Sequence, residues 1–225
     1  MAIALKRTGG IGSDGVKVAI YGQAGAGKTT ALGTAPAPII LSAEAGLLSL
    51  AGQDIPYIEV ASMAAIGEAY EWLTSSAEAK QYKTVCLDSL SEIAEVVLSE
   101  ERAKTKDPRQ AYGSMADQMA QLVRMFRDLP GRHVVMTAKL EKTQDEQGRI
   151  LWGPGMPGTK TAQALPYFFD EVFALQVHKG EEGDTQRAFL TQGDGQWVAK
   201  DRSGRLDAWE PADLGAIVAK IGGAR

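Results

Sequence analysis

"GQAGAGKTT", residues Gly22 to Thr30, follows the apolar run "VKVAIY" (16–21), and its reading governs the rest of the chain. It fits G-x-x-x-x-G-K-S/T, with Gly22, Gly27, Lys28 and Thr29 in the fixed positions. Glycines let the backbone wrap closely around phosphates and present its N–H groups to them. Lys28 is placed to reach the β and γ phosphates, and the Thr29 hydroxyl to bind Mg²⁺. A helix starting near Lys28 adds its positive N-terminus. Gly22, Gln23, Ala24, Gly25, Ala26, Gly27, Lys28, Thr29 and Thr30 are therefore the expected ATP contacts. The alternative, a chance glycine-rich turn, is disfavoured by the strand before it and the helix after it.

Working outward, strand-like runs alternate with helical stretches from Val16 onward. "PIILS", "YIEVA", "KTVCLD", "RHVVMTA", "DEVFALQV", "RAFLTQ" and "QWVAK" read as strands. Leu90, Ile93, Ala94, Val97 and Leu98 share one helical face; Met115, Met119, Leu122, Phe126 and Leu129 share another. Both stripes read as core, methionines included. The alternation predicts an α/β fold with a mostly parallel central sheet, helices on both faces, and an antiparallel C-terminal extension. At 225 residues, one ATPase domain over 16–225 is the simplest account. Residues 1–15 form a separate strand and linker. Its "IALKR" is open to pairing with a neighbouring protomer's sheet edge.

The composition is ordinary for a globular chain: 44% hydrophobic, 23% charged, net charge −4. No global basic field exists, so any nucleic-acid site must be a local patch. The single cysteine, Cys86, lies in an apolar run and can form no intramolecular disulfide, which fits a reducing cytoplasm. No stretch has the form of a signal peptide or the length of a membrane span.

A phosphate loop needs an acidic partner for its metal. "KTVCLDSLSE" (83–92) supplies Asp88 at the end of an apolar strand, followed by Ser89 and a helix. Asp88 is thus the candidate Mg²⁺-side carboxylate with Thr29, although either Asp88 or Ser89 could also cap that helix. Many ATPases of this type carry a glutamate directly after the aspartate; here that position is Ser89. The candidate base is instead Glu44 in "PIILSAEAG" (38–46), just past a second strand. In a parallel sheet the strand C-termini open on one edge, so Glu44 and Asp88 can face the same phosphate.

Glu44, "LDS" and a C-terminal "KDRSG" together resemble the RecA-type recombinase ATPases. The similarity is greatest to the short, core-only recombinase-like and single-strand annealing proteins of phages, the Sak group, and it extends from Val16 to the C-terminus. It implies that Glu44 is catalytic and Asp88 holds Mg²⁺ with ATP. It also implies that "HVVMTAK" (133–139) ends in a γ-phosphate sensor. That sensor is often a glutamine; this chain offers Thr137 and Lys139. Lys200 and Arg202, two apart on an extended segment, share a face and would reach the phosphate of a neighbouring protomer.

The resemblance further implies two DNA loops facing a filament axis. One is "RAKTKDPRQAYGS" (102–114), with Arg102, Lys104, Lys106 and Arg109; a solvated inter-helix loop is the equal alternative. The other is "KTQDEQGRILWGPGMPGTKTAQ" (142–163), read as a long irregular loop. There Lys142, Arg149 and Lys160 would meet phosphates and Trp152 would stack on a base. The alternative is a hairpin whose Trp152 covers core. The function expected is an oligomeric, ATP-dependent, single-stranded-DNA-binding annealing or recombination protein, in filament or ring form, working with a single-strand DNA-binding protein. The alternatives are a RecA-fold ATPase that switches a protein partner, or a ring-type DNA motor.

Overall fold

The computed structural model describes residues 15–44, 46–179 and 184–223. Parallel strands β1 (Lys17–Gly22), β2 (Pro38–Ser42), β3 (Tyr57–Glu59), β4 (Thr84–Asp88), β5 (His133–Gln144) and β7 (Glu171–Lys179) stand in the order β7-β1-β5-β4-β2-β3. β8 (Thr185–Leu190) and β10 (Trp209–Pro211) extend the β7 edge antiparallel. β6 (Ile150–Gly155) and β9 (Lys200–Asp201) join β5 and β7, also antiparallel. This is the α/β architecture expected of the sequence, a mostly parallel central sheet with helices on both faces and antiparallel strands toward the C-terminus.

Side chains alternate along each strand and build two cores. Ala19, Tyr21, Ile39, Leu41, Val85 and Leu87 point to the face covered by α2 (Met63–Ser75), α3 (Leu90–Lys104) and α4 (Pro108–Arg127). Val18, Ile20, Ile40, Cys86, Phe173 and Phe189 point to the other, where they meet α1 (Lys28–Leu32) and α6 (Leu214–Gly222). The two helical stripes are core as read: Ile93, Val97, Met115 and Phe126 are fully buried. Burial pushes the Cys86 thiol up, so it is inert.

Two segments differ from the sequence reading. The basic stretch at 102–114 is not a loop. Arg102 and Lys104 occupy the last turn of α3, and α4 begins at Pro108, so only Thr105 to Asp107 connect them. "DPR" is a helix start: Asp107 accepts a hydrogen bond from Arg109 N at 2.9 Å, and proline takes the first turn, where its missing N–H costs nothing.

Nor is 142–163 irregular. β5 does not end at Lys139 but runs to Gln144, turns, and returns as β6, with Lys142 paired to Trp152. α5 (Thr159–Ala164) follows and carries Lys160. The glycines permit close approach rather than mobility: a Cβ on Gly155 would lie 2.8 Å from that of Glu141. "QWVAK" yields only β9 and a bridge between Trp197 and Trp152. "IALKR" lies outside the described residues. Among those residues, no helix is long and apolar enough to cross a membrane.

Candidate nucleotide site

β1, β4 and β2 deliver the candidate residues to one edge of the sheet, because parallel strands all end there. At the tip of β1 the chain turns through Gly25 and Gly27, with φ of 76° and 100°. Such values are open to glycine and strained for other residues. The capping position of α1, Gly27, has no side-chain cap, so the N–H groups of Gly27, Lys28 and Thr29 are left for an anion, while Ala26 N donates to Gln23 O. Lys28 Nζ folds back on the carbonyls of Gly22 and Gln23, at 2.9 and 3.0 Å. Burial holds its pKa below the usual lysine value, and Lys139 adds to this, against the opposing pull of Asp88 and Glu44.

Asp88 is 3% exposed and accepts two hydroxyl hydrogen bonds. Thr29 Oγ1 donates to its Oδ2 at 2.7 Å, and Thr137 Oγ1 to its Oδ1 at 2.5 Å. The side chain of Glu44 is tied to Ser89, whose Oγ donates to Glu44 Oε1 at 2.5 Å. Ser89 also caps α3 by accepting from Glu92 N at 3.3 Å. The residue after Asp88 therefore supplies the anchor that brings a carboxylate from the neighbouring strand to this place. Glu44 Oε2 has no hydrogen bond among the described residues.

Lys139 stands in register with Gly22 across the β1–β5 pair, and its Nζ lies 3.2 Å from Glu92 Oε2. It reaches the site from the middle of a strand, not from the strand end expected. Arg187 on β8 was not foreseen. Its Nε donates to Ala26 O at 3.1 Å, and nothing local in "RAFLTQ" points to that contact.

The donor set fits Mg-ATP. A hydroxyl and a carboxylate oxygen 2.7 Å apart are hard ligands that Mg²⁺ accepts in ones and twos, with the remainder from phosphate and water. No cluster of three or more His, Cys, Asp or Glu side chains able to hold a metal exists among the described residues. At the entrance of the glycine loop β7 leaves no room for a side chain, since a Cβ on Gly22 would meet Leu175 O at 2.8 Å.

Lys200 and Arg202 are not gathered here. β9 pairs with Glu171 and Val172, the first residues of β7, at the opposite edge of the sheet. Lys200 Nζ caps the turn at Leu165–Phe168 by donating to Pro166 O and Phe169 O, at 2.7 and 2.5 Å. Burial, then the neighbouring Arg202, lowers its pKa. Arg202 is more exposed and pairs with Asp170 at 2.7 Å.

The remaining candidate cations form two groups, with Lys160 exposed apart from them on α5. Arg102, Lys104, Lys106 and Arg109 are exposed at the α3–α4 corner, with Lys104 paired to Glu101 and Arg102 bonded to Tyr112. Lys142 and Arg149 are exposed on the β5–β6 hairpin, Arg149 paired to Asp145 at 2.6 Å. Trp152 stacks on Trp197 at 5.5 Å, and Trp197 on Tyr21 at 6.4 Å, so Trp152 covers core. Lys142 Nζ lies 5.7 Å from the Trp152 ring centre.

No curated protein matches the sequence. Among solved structures, the KaiC-like protein PH0186 of the hyperthermophilic archaeon Pyrococcus horikoshii OT3 is similar, with 14% identity, 78% of each chain covered and a TM-score of 0.43. A family model described as an AAA domain matches residues 14–203, a span that contains the glycine loop, Glu44, Asp88 and the whole sheet except β10. This chain belongs to the AAA domain family of P-loop ATPases.

Proposed function

We propose that this ATPase is a Mg-ATP hydrolase that binds single-stranded DNA and acts as a homo-oligomer, in the manner of phage annealing and recombinase-like proteins. In this reading Glu44, steered by Ser89, takes a proton from water through its unbonded Oε2. Lys28 and Lys139 hold phosphate oxygens, and Thr29 and Asp88 would hold Mg²⁺. The metal would neutralise charge on the β and γ phosphates when bound. Arg202, remote from its own loop and exposed, is suited to a neighbour's phosphate; Lys200 holds the turn beneath it.

The observation that carries the DNA reading is the continuity of β5. One strand passes from Thr137, bonded to Asp88, through Lys139 beside Gly22, into a hairpin bearing Lys142 and Arg149. In this reading a change at the phosphate site would be passed along one strand to an exposed cationic tip. The α3–α4 corner and Lys160 add further cations. The test is fluorescence anisotropy of a labelled oligonucleotide, with Mg²⁺ and a non-hydrolysable ATP analogue, over a salt series. Binding that weakens steeply with salt, and with Lys142→Ala and Arg149→Ala, is expected. Absence of binding refutes it. A second reading, an ATPase that switches a protein partner, draws on three contacts that engage candidate DNA residues within the chain: Lys104 with Glu101, Arg149 with Asp145, and Trp152 with Trp197.

A further inference from the structure

β7 and β8 form a ribbon along one side of the glycine loop. β7 is so close to the loop's entrance that Leu175 O excludes a side chain at Gly22. β8 returns antiparallel with Arg187 in register with Val177, and Arg187 crosses to the loop. Its Nε–H donates to the carbonyl of Ala26 at 3.1 Å, which is its only hydrogen bond among the described residues. A Cβ built on Gly27 would lie 2.8 Å from both Cδ and Nε of Arg187. The side chain therefore lies directly against the Ala26–Gly27 peptide.

That peptide is trans and planar, so its two polar groups point in opposite directions. If the carbonyl of Ala26 is held outward by a guanidinium, the N–H of Gly27 is held inward, toward the space that phosphates fill. A glycine at φ 100° has little steric resistance to rotating that unit, and the Gly27 N–H has no hydrogen bond among the described residues to hold it. We infer that Arg187 is a positioning residue for nucleotide binding: it clamps the Ala26–Gly27 peptide so that the Gly27 N–H faces the diphosphate. A charged donor makes a stronger bond to a carbonyl than a neutral one, and the bonding nitrogen, Nε, stands as many bonds from Cα as the amide nitrogen of a glutamine. The inference rests on reading 22–30 as the phosphate loop.

The clamp acts on a backbone donor for the phosphates that ADP and ATP share. Removing it therefore weakens both nucleotides alike and changes kcat at saturation little. The experiment is titration of the full chain with fluorescent ADP and ATP analogues, beside steady-state ATPase assays and thermal melts without nucleotide. Arg187→Ala is expected to raise Kd for both about tenfold, with the nucleotide-free Tm unchanged. Arg187→Lys and Arg187→Gln each keep a donor, and both are expected to recover part of the affinity. Unchanged affinity refutes the inference. So does a loss confined to ATP and kcat, which would mark a direct γ-phosphate contact. A loss matched by a lower nucleotide-free Tm, or no recovery by Lys and Gln, also refutes it. Lys28→Ala serves as the control: if it binds nucleotide like the parent, the phosphate-loop reading itself fails; if it loses binding while Arg187→Ala keeps it, only the clamp fails.

Discussion

Glu171 offers a test of the sheet's far edge by pH. It opens β7, is 1% exposed, and accepts from Ser203 N at 3.3 Å. Burial, then the charge of Asp201 and a proton shared with it, then Asp170, raise its pKa from 4.5 to about 8. Asp201 is itself held below the usual carboxylate value. Its partial burial is outweighed by donors from Ser203, Leu206, Glu171 and Gly204. The folded chain thus keeps a proton between pH 4.5 and about 8 that the unfolded chain releases. Stability from this group is complete below pH 4.5 and declines as pH rises to about 8.

One titrating group gives a slope of at most about 1.4 kcal/mol per pH unit, and a window of roughly 3.5 units sets a ceiling of about 5 kcal/mol. Relaxation of the exposed turn beyond β9 and entry of water reduce this, and about 2 kcal/mol is the expected loss. Glu171→Gln copies the protonated form, so urea unfolding of the two proteins from pH 5 to 8.5 isolates the term. Other titrations, such as that of His133, cancel in the difference. The variant should gain on the parent steadily with pH and be more stable at pH 8. Parallel curves would refute the buried-proton argument.

Glu44→Ala should retain ATP binding yet lose hydrolysis by a factor of at least about 10², measured by phosphate release; near-normal turnover removes Glu44 as the base. Arg202→Ala should bind ATP but hydrolyse it poorly, and mixing it with Glu44→Ala should restore part of the activity through mixed interfaces. No restoration in confirmed oligomers counts against action across protomers. Trp152→Ala should cost about 2–3 kcal/mol of stability, read by urea unfolding, because the ring covers Trp197 and Tyr21. A neutral effect would return Trp152 to the role of a free base-stacking platform.

What the sequence made legible is what is local. "GQAGAGKTT" announces its loop because spacing and backbone freedom are encoded within nine residues, and Asp88 follows from an apolar run that must end somewhere. Glu44 was placed by the edge rule for parallel strands, although the hydrogen bond from Ser89 that aims it spans 45 positions. Arg187 could not be found this way: its partner is 161 residues distant, and a lone arginine on a strand carries no local signal. Glycine and proline misled at 142–163, where they serve close strand approach, not irregularity. At 102–114 the charge pattern drew attention away from Asp107 and Pro108, which mark a helix start.

Half of the chain's four tryptophans, Trp152 and Trp197, lie nearly parallel, with planes 19° apart, and Trp197 rests on Tyr21, the residue before Gly22. Two indoles so placed share their excited states, so the protein carries its own optical gauge. Intrinsic fluorescence and near-ultraviolet circular dichroism should respond to any shift between hairpin and glycine loop, in unlabelled material and in real time.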